Sequence, residues 1–289
     1  MKIVFRAFFR ELYAKSIEED IFSSAAQVAF YFSFAIFPLL LFLVTLLGIV
    51  LGSANDFRSD LYYYLASIMP VSAFELVRRT IEEITKNSSG GKLTISLLVA
   101  LWFASAGIDS LRTALNGVYG YKEERSWFLT KAISVTFTFI LTILITIALG
   151  GVFYGWQGIS HLFSLVGVEV SSPYILVVLQ WLVTFLLLLV VFEILYNVLP
   201  SRRPFRWRWI TPGAFVGIIL WLLLSNGLRF YLYYWNTYDR FYGSLGAVII
   251  LMLWLYLTSL VILIGGAINS IIDSIKDGSK ASAEAPASG

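Results

Sequence analysis

The sequence contains no cysteine, a single histidine and few charged residues. The lack of cysteine excludes disulfides, thiolate metal sites and cysteine nucleophiles. Charged residues make up 13% of the 289 residues, about half of the roughly 25% found in soluble domains. Hydrophobic residues reach 58% and the mean hydropathy is +0.80. This composition predicts one membrane-embedded domain rather than a soluble enzyme.

Six apolar runs reach the length of about 20 residues that a helix needs to cross a bilayer. They are residues 25–51, 93–118, 132–154, 173–199, 210–233 and 244–268. We therefore predict an all-α, polytopic membrane protein with six transmembrane helices. The first run has no small-residue cleavage site behind it, so it is expected to be an uncleaved signal anchor.

Three segments outside these runs complete the predicted domain plan. Residues 1–24 form an amphipathic segment, which either lies on the inner lipid headgroups or packs on the bundle. Within the transmembrane domain, residues 25–270, the loop 52–92 has two apolar stripes at helical spacing and is expected to form two external helices. Residues 271–289 are predicted to be a flexible tail, with disorder after Asp277, where the chain is rich in Ser, Ala and Gly.

The distribution of basic residues predicts the orientation of the chain. Thirteen Lys and Arg residues fall on the side of the termini and six on the opposite side. Because positive residues are retained in the cytoplasm, both termini are expected to be cytoplasmic. The chain is then a multi-pass protein of the bacterial cytoplasmic (inner) membrane, with membrane lipids as its first partners.

Polar residues gather at the cytoplasmic ends of the second, fourth and sixth predicted helices. Asp109 lies about 24 Å along its helix from Leu93, at ~1.5 Å per residue. A charge at this depth generally faces the bundle interior or a wet cavity. Two alternatives follow: a structural pin between helices, or a cavity that binds a polar group or relays a proton. The candidate residues are Asp109, Arg112, Asn116, Glu193, Asn197 and Asn269.

The third predicted helix carries small or weakly polar residues at every fourth position. Such a row favours a close helix crossing, although it could also form the hydroxyl-lined wall of a cavity. Two glycines at the start of the sixth helix would permit a similarly close approach. The packing candidates are Ser134, Thr138, Thr142, Thr146, Gly150, Gly243 and Gly246.

No pattern of a soluble-type enzyme is present in the sequence. The single histidine, His161, has no ligand-like neighbours in its short external loop, whereas a metal-dependent nuclease needs a cluster of histidines and carboxylates. We find no phosphate-binding glycine loop, zinc motif or catalytic triad. We therefore expect no catalytic residues, no metal ion, no cofactor and no nucleic-acid partner.

Several blocks resemble the YihY/BrkB family of bacterial inner-membrane proteins. They are AAQVAFYFSFAIFPLL from Ala25, GIDSLR from Gly107, NGVYG from Asn116, LPSRR from Leu199, YGSLGA from Tyr242, WLY from Trp254, and Asn269. The resemblance implies a six-helix inner-membrane protein; labels used for the family include virulence factor and ribonuclease BN. This chain has Ala267 where the family usually has glutamate, so no role for that glutamate can be carried over.

The convergence of polar residues on one side favours a transporter or exporter. It would move a polar or amphipathic solute, including a lipid-linked one, through a cytoplasm-facing polar cavity. The alternative is a non-transporting envelope factor that binds lipids or protein partners. A membrane-bound nuclease comes third.

Overall fold

The computed structural model is built from seven helices in the part of the chain that it describes. This part comprises residues 2–51, 90–144, 173–202, 207–234 and 244–284, with single residues between 59 and 82. The helices are α1 (Lys2–Glu18), α2 (Ile21–Leu51), α3 (Gly90–Tyr119), α4 (Trp127–Leu144), α5 (Pro173–Val198), α6 (Pro212–Tyr234) and α7 (Ser244–Glu284). No strand occurs among these residues, which confirms the all-α membrane fold.

Four stretches of the described chain are long and apolar enough to cross a membrane. They are Leu98–Tyr119, Trp127–Leu144, Pro212–Leu232 and Val248–Ile275. Two shorter apolar helical stretches, Ile21–Ile36 and Phe185–Val198, fall at the first and fourth predicted spans. The total of six spans therefore stays a prediction.

Two residues with a positive φ angle end helices. Asp20, with φ 45°, separates α1 from α2, and its carboxylate accepts a hydrogen bond from the Ser23 hydroxyl in the first turn of α2. Gly120, with φ 68°, follows α3. Its N–H donates to the carbonyl of Gly117 and the N–H of Tyr121 donates to that of Asn116, both at 2.8 Å. This is a Schellman motif, in which glycine adopts the left-handed conformation without strain.

Helix α7 lies at the centre of the bundle, where it packs against α1, α2, α3 and α6. The hydrophobic core joins the first turns of α2, the last turns of α3 and α5, the first turns of α6 and the second half of α7. Its fully buried members include Ile21, Leu115, Leu199, Ile218 and Leu263. We call this end of the molecule the polar end, because the polar residues described below surround the same core.

The flanking segments are helical where the structure describes them. Helix α1 packs against α7 and α2, and its residue Leu12 contacts the core. The described residues between 59 and 82 are helical, and the two external helices of the loop stay a prediction. Helix α7 continues to Glu284, so the segment after Asp277, where we expected disorder, is helical as far as that residue. The predictions for Thr146, Gly150, His161 and Gly243 lie outside the described residues.

Candidate binding cleft

The first polar feature of the polar end is a chain of alternating charges that joins α3 to α4. The Lys131 Nζ of α4 donates to Oδ2 of Asp109 at 2.8 Å and lies 4.6 Å from the centre of the Trp102 ring. The other oxygen of Asp109 lies 3.7 Å from Nη2 of Arg112, one turn further along α3. Asp109 is therefore neutralised by one cation from each helix, which offsets the cost of holding its charge near the membrane.

The charge chain continues through the loop that connects α3 to α4. Arg112 forms an ion pair with Glu123, and the guanidinium of Arg125 contacts both Glu123 oxygens, at 2.7 and 2.9 Å. Burial acts to raise the pKa of Glu123, but hydrogen bonds from Arg125 and the charges of Arg125 and Arg112 outweigh it, and the pKa falls to about 2. Glu123 is therefore ionised at neutral pH and holds two arginines together.

This chain of charges also fixes the turn that follows α5. Arg125 Nη2 donates to the carbonyl of Leu199 at 2.9 Å. Asn116 bridges the two sides: its Nδ2 donates to Glu123 at 3.1 Å, and its Oδ1 accepts from the N–H of Ser201 at 2.7 Å. The end of α3 thereby positions the residues 199–202.

The second polar feature caps the amino terminus of α6. The helix opens with Thr211 at the N-cap and Pro212 at the first position, where proline has no N–H to leave unpaired. The N–H of Thr211 donates to Oε1 of Glu193 at 2.5 Å, and its hydroxyl donates to the same oxygen at 3.1 Å. The N–H of Gly213 donates to Oδ1 of Asn269 at 2.7 Å. One carboxylate from α5 and one amide from α7 thus satisfy donors that a helix start leaves unpaired.

Asn197 attaches the segment before α6 to α5. Its Oδ1 accepts from the N–H of Arg208 at 2.8 Å, and its Nδ2 donates to the Arg208 carbonyl at 3.0 Å. The same Nδ2 donates to the carbonyl of Glu193 one turn earlier at 2.8 Å. Asn197 and Glu193 therefore act on the same connection, which explains their four-residue spacing.

Two glycines allow α6 and α7 to meet closely at this end. A Cβ atom placed on Gly213 would collide with the carbonyl oxygen of Gly265 and with the Asn269 side chain. A Cβ atom on Gly265 would collide with the Tyr196 hydroxyl and would lie 2.7 Å from the Gly213 carbonyl oxygen. The bond from Gly213 to Asn269 depends on this close approach.

A polar cleft opens between these features, at the ends of α3 and α5, the start of α6 and the last third of α7. Its walls are Tyr119, Tyr121, Tyr196, Asn197, Pro200, Arg202, Arg208, Thr211, Asn269 and Asp273. Asp273 forms an ion pair with Arg208 and lies 3.7 Å from Arg202. In this conformation the cleft has room for about one water molecule.

The side-chain amide of Asn269 has one hydrogen-bonded atom and one without a partner. The residue is 3% exposed, its oxygen is bound to Gly213, and its Nδ2 has no hydrogen-bond partner. A buried amide donor without a partner costs about 1–3 kcal/mol. This side chain lines the cleft, so a group that enters the cleft could accept this hydrogen bond.

The packing candidates that the structure describes are buried. Ser134, Thr138 and Thr142 of α4 are at most 3% exposed. The hydroxyls of Thr138 and Thr142 each donate to the carbonyl four residues earlier, at 2.8 Å, so both donors are satisfied within α4. Gly246 of α7 is buried as well.

The sequence-predicted site residues divide into two groups. Asn197 and Asn269 line the cleft, with Glu193 directly behind Thr211. Asp109 and Arg112 belong to the charge chain instead and do not line the cleft. Asn116 links the two groups through Ser201. The assignment of all six residues to solute binding stays a prediction.

Sequence reasoning missed part of the cleft wall. The count of basic residues assigns Arg202 and Arg208 only to the charge asymmetry across the membrane, and no sequence pattern singles out the tyrosines at the ends of α3 and α5. Thr211-Pro212 did carry a signal, because a hydroxyl residue before proline is typical of a helix start. The side chains that cap this helix start, Glu193 and Asn269, come from other helices, so the local sequence does not reveal them. No group of three potential metal ligands occurs among the described residues.

The helices and their buried polar contacts define an integral membrane protein. A family model for virulence factor BrkB matches residues 12–288. The chain therefore belongs to the virulence factor BrkB family, which confirms the resemblance seen in the sequence.

Curated relatives agree with this assignment. A ribonuclease-like protein, YfkH of Bacillus subtilis (strain 168), is 31% identical over 271 residues, which cover 93% of this chain and 96% of the relative. A UPF0761 membrane protein of Pseudoalteromonas atlantica is 25% identical over 254 residues, 86% of this chain and 80% of the relative. Another from Idiomarina loihiensis is 27% identical over 209 residues, 71% and 69% of the two chains. No solved structure matches the chain. The chain is thus a bacterial membrane protein.

Proposed function

We propose that the protein is a transporter or exporter that takes up the polar group of a polar or amphipathic solute in the cleft at the polar end. The observation that carries this proposal is the cleft itself. It lies at the ends of α3 and α5, the start of α6 and the last third of α7, and it combines ionic, amide and phenolic groups beside a buried amide donor. Charged and polar side chains are costly inside a membrane. Where they line a cavity within a helix bundle, they generally mark a site or pathway for a substrate or an ion.

The proposal includes the orientation predicted from the basic residues. The cleft then faces the cytoplasm, and the solute enters from that side. Since the cleft has room for only about one water molecule, a larger group would have to separate Asp273 from the two arginines. The charge chain would keep the residues 199–202 in place while this happens.

Reconstituted vesicles test the proposal. Fluorescent short-chain phosphatidylglycerol and phosphatidylcholine serve as amphipathic probes, and their movement between leaflets is followed by quenching from outside. Arg202→Gln changes the cleft wall, and Asp109→Asn breaks the charge chain. We expect movement with the unchanged protein and its loss in both variants, with the helix content retained by circular dichroism.

The matched control is Arg79→Gln, because Arg79 is an exposed arginine that pairs with Glu75 in the external loop. This variant should move the probes at the same rate as the unchanged protein. Equal rates for the unchanged protein and Arg202→Gln, or no movement of either probe, would refute transport of an amphiphile through the cleft.

One observation favours the non-transporting alternative, an envelope factor that binds lipids or partners. Helix α1 exposes Phe9, Tyr13 and Ile17, which are 50%, 69% and 57% exposed and lie on one face at four-residue spacing. Arg6 and Arg10 are also exposed. An apolar stripe beside basic residues is typical of a helix in a lipid interface. In this alternative the external loop also binds lipids or partners. Deletion of residues 56–86 should therefore abolish that binding although the bundle stays folded.

We further propose that the protein is not a nuclease, although one relative is named ribonuclease-like. The proposal rests on the contacts of the acidic residues at the polar end, which are bound to cations or to a helix start. Reproducible metal-dependent cleavage of RNA by the pure protein would refute it.

A further inference from the structure

The polar groups around the cleft are not balanced between donors and acceptors. Arg202 and Arg208 share one carboxylate, that of Asp273, so the ionic groups of the wall carry a net charge of +1 (two cations minus one anion). The spare amide of Asn269 is a further donor. Guanidinium groups and amide N–H groups can only donate. The ionic and amide groups of the wall therefore offer more donors than acceptors, beside tyrosine hydroxyls that can act as either.

The acceptors of the neighbouring side chains are already occupied. The Oδ1 of Asn269 is bound to Gly213, and the Oδ1 of Asn197 is bound to Arg208. The carboxylate of Glu193 caps Thr211. None of these bound oxygens accepts from the Nδ2 of Asn269, and the Tyr119 hydroxyl, which lies beside the same amide, makes no well-aligned hydrogen bond with it. In the empty cleft the acceptor for Asn269 is a water molecule, for which there is room, and a ligand oxygen would replace it.

We infer that the cleft binds an anionic oxygen group, a phosphate or a chemically similar oxyanion, between Arg202, Arg208 and the Nδ2 of Asn269. This inference rests on the proposed function, for which it names the chemical class of the solute. Planar guanidinium groups suit phosphate and carboxylate oxygens, since they offer two parallel donors. The anion replaces Asp273 as the partner of the arginines and supplies an acceptor for the Nδ2 of Asn269.

Asp273 competes with the anion for Arg202 and Arg208 in this arrangement. Its carboxylate occupies the arginines when the cleft is empty, and this contact keeps their charges neutralised near the membrane. Arg202 has the weaker hold, since its Nη1 lies 3.7 Å from Asp273. Of the two arginines, Arg202 is therefore the one whose removal costs the empty protein less.

Thermal unfolding of the full chain in mild detergent tests the inference. One arm titrates sodium phosphate against sodium chloride at constant ionic strength. The second arm uses nanodiscs of phosphatidylcholine with and without phosphatidylglycerol. A ligand that binds only the folded state raises the unfolding midpoint in a saturable way. Stabilisation by phosphate assigns the site to a free oxyanion, and stabilisation by phosphatidylglycerol alone assigns it to a lipid headgroup.

The variants separate the cleft from general charge effects. Arg202→Gln should weaken the apparent affinity by about tenfold, the ratio that corresponds to the loss of one charge-assisted hydrogen bond. Asp273→Asn should strengthen it, since the competitor is gone. Asn269→Asp keeps an oxygen for Gly213 and replaces the spare donor by a negative oxygen, so it should abolish binding. The matched control Arg79→Gln should behave like the unchanged protein.

The inference is overturned if neither phosphate nor phosphatidylglycerol stabilises the protein, or if Arg202→Gln and Asn269→Asp respond like the unchanged protein. If Arg202→Gln does not fold, the other two variants test the inference: the apparent affinity should be lost in Asn269→Asp and should increase in Asp273→Asn. Binding with these variant effects but without movement in vesicles would refute transport alone. Movement that responds to Arg202→Gln but not to phosphate or phosphatidylglycerol would refute the anionic ligand alone.

Discussion

Four carboxylates at the polar end differ in what neutralises them. Asp109 has a cation from each of two helices, Glu123 holds two arginines, and Asp273 shares two others. Glu193 is buried at 4% exposure, and its oxygens accept from the N–H and hydroxyl of Thr211 and from the Asn197 amide. Its carboxyl group lies at the positive end of the α6 dipole.

Two replacements of Glu193 distinguish the contribution of its oxygen acceptors to stability from that of its charge. Glu193→Gln keeps an oxygen for Thr211 and should change the free energy of unfolding by less than about 1 kcal/mol. Glu193→Ala leaves the buried N–H of Thr211 without an acceptor and should lower it by about 1–3 kcal/mol. Denaturant unfolding in detergent, followed by circular dichroism, measures both. A loss as large in Glu193→Gln as in Glu193→Ala would show that the charge itself is needed.

The low pKa of Glu123 predicts a pH dependence of stability. The folded pKa of about 2 lies below the ordinary value of 4.5, so the ionised carboxylate favours the folded state. This contribution is complete above about pH 4.5 and is lost as the pH falls towards 2. Glu123→Gln should therefore be less stable than the unchanged protein at pH 7. The difference should shrink between pH 4.5 and pH 2 in thermal unfolding scans, and a constant difference over this range would contradict the assignment.

At the scale of the helices, the sequence predicted positions better than contacts. Apolar run length placed α3, α5 and α6 within three residues of their ends, because the bilayer sets helix length. It could not predict that Glu193 and Asn269 cap α6, since a cap partner from another helix depends on the packing. Asp109 and Arg112 are three residues apart on one helix and lie within ion-pair distance, whereas Lys131, Glu123 and Arg125 come from elsewhere in the fold.

The crossing of α6 and α7 should tolerate no side chain at Gly213. Gly213→Ala forces the helices apart and breaks the hydrogen bond to Asn269, so we expect a loss of several degrees in the unfolding midpoint. The matched control is Gly117→Ala in α3, where a Cβ atom meets nothing within 4 Å and alanine gains about 1 kcal/mol in helix propensity. The control should be neutral or stabilising. Equal midpoints for the two variants would argue against the close crossing.

At the scale of the whole molecule, the charge chain, the cap of α6 and the cleft belong to one end of the bundle. Hydrogen bonds and ion pairs connect α3 with α4, α5 with α6, and α6 with α7 around the same core. The composition predicted a membrane bundle and the basic residues predicted its orientation. The side chains that meet in the cleft required the three-dimensional arrangement.

The orientation can be tested directly because the chain contains no cysteine. Single cysteines at Ser23, Ser201 and Ser279 should react with a membrane-impermeant maleimide only after the cells are opened. A cysteine at Ser88 in the external loop should react in intact cells. Labelling of whole cells against lysed cells measures this, and reaction of Ser23→Cys in intact cells would invert the topology.

Native mass spectrometry of the full chain from its own membranes shows whether the cleft holds an anionic group of the solute. The unchanged protein and Arg79→Gln should each carry a bound anionic species in mild detergent. Arg202→Gln should carry about tenfold less of it at equal protein. The same bound species in equal amounts in all three proteins, or no bound species in any of them, would contradict the account.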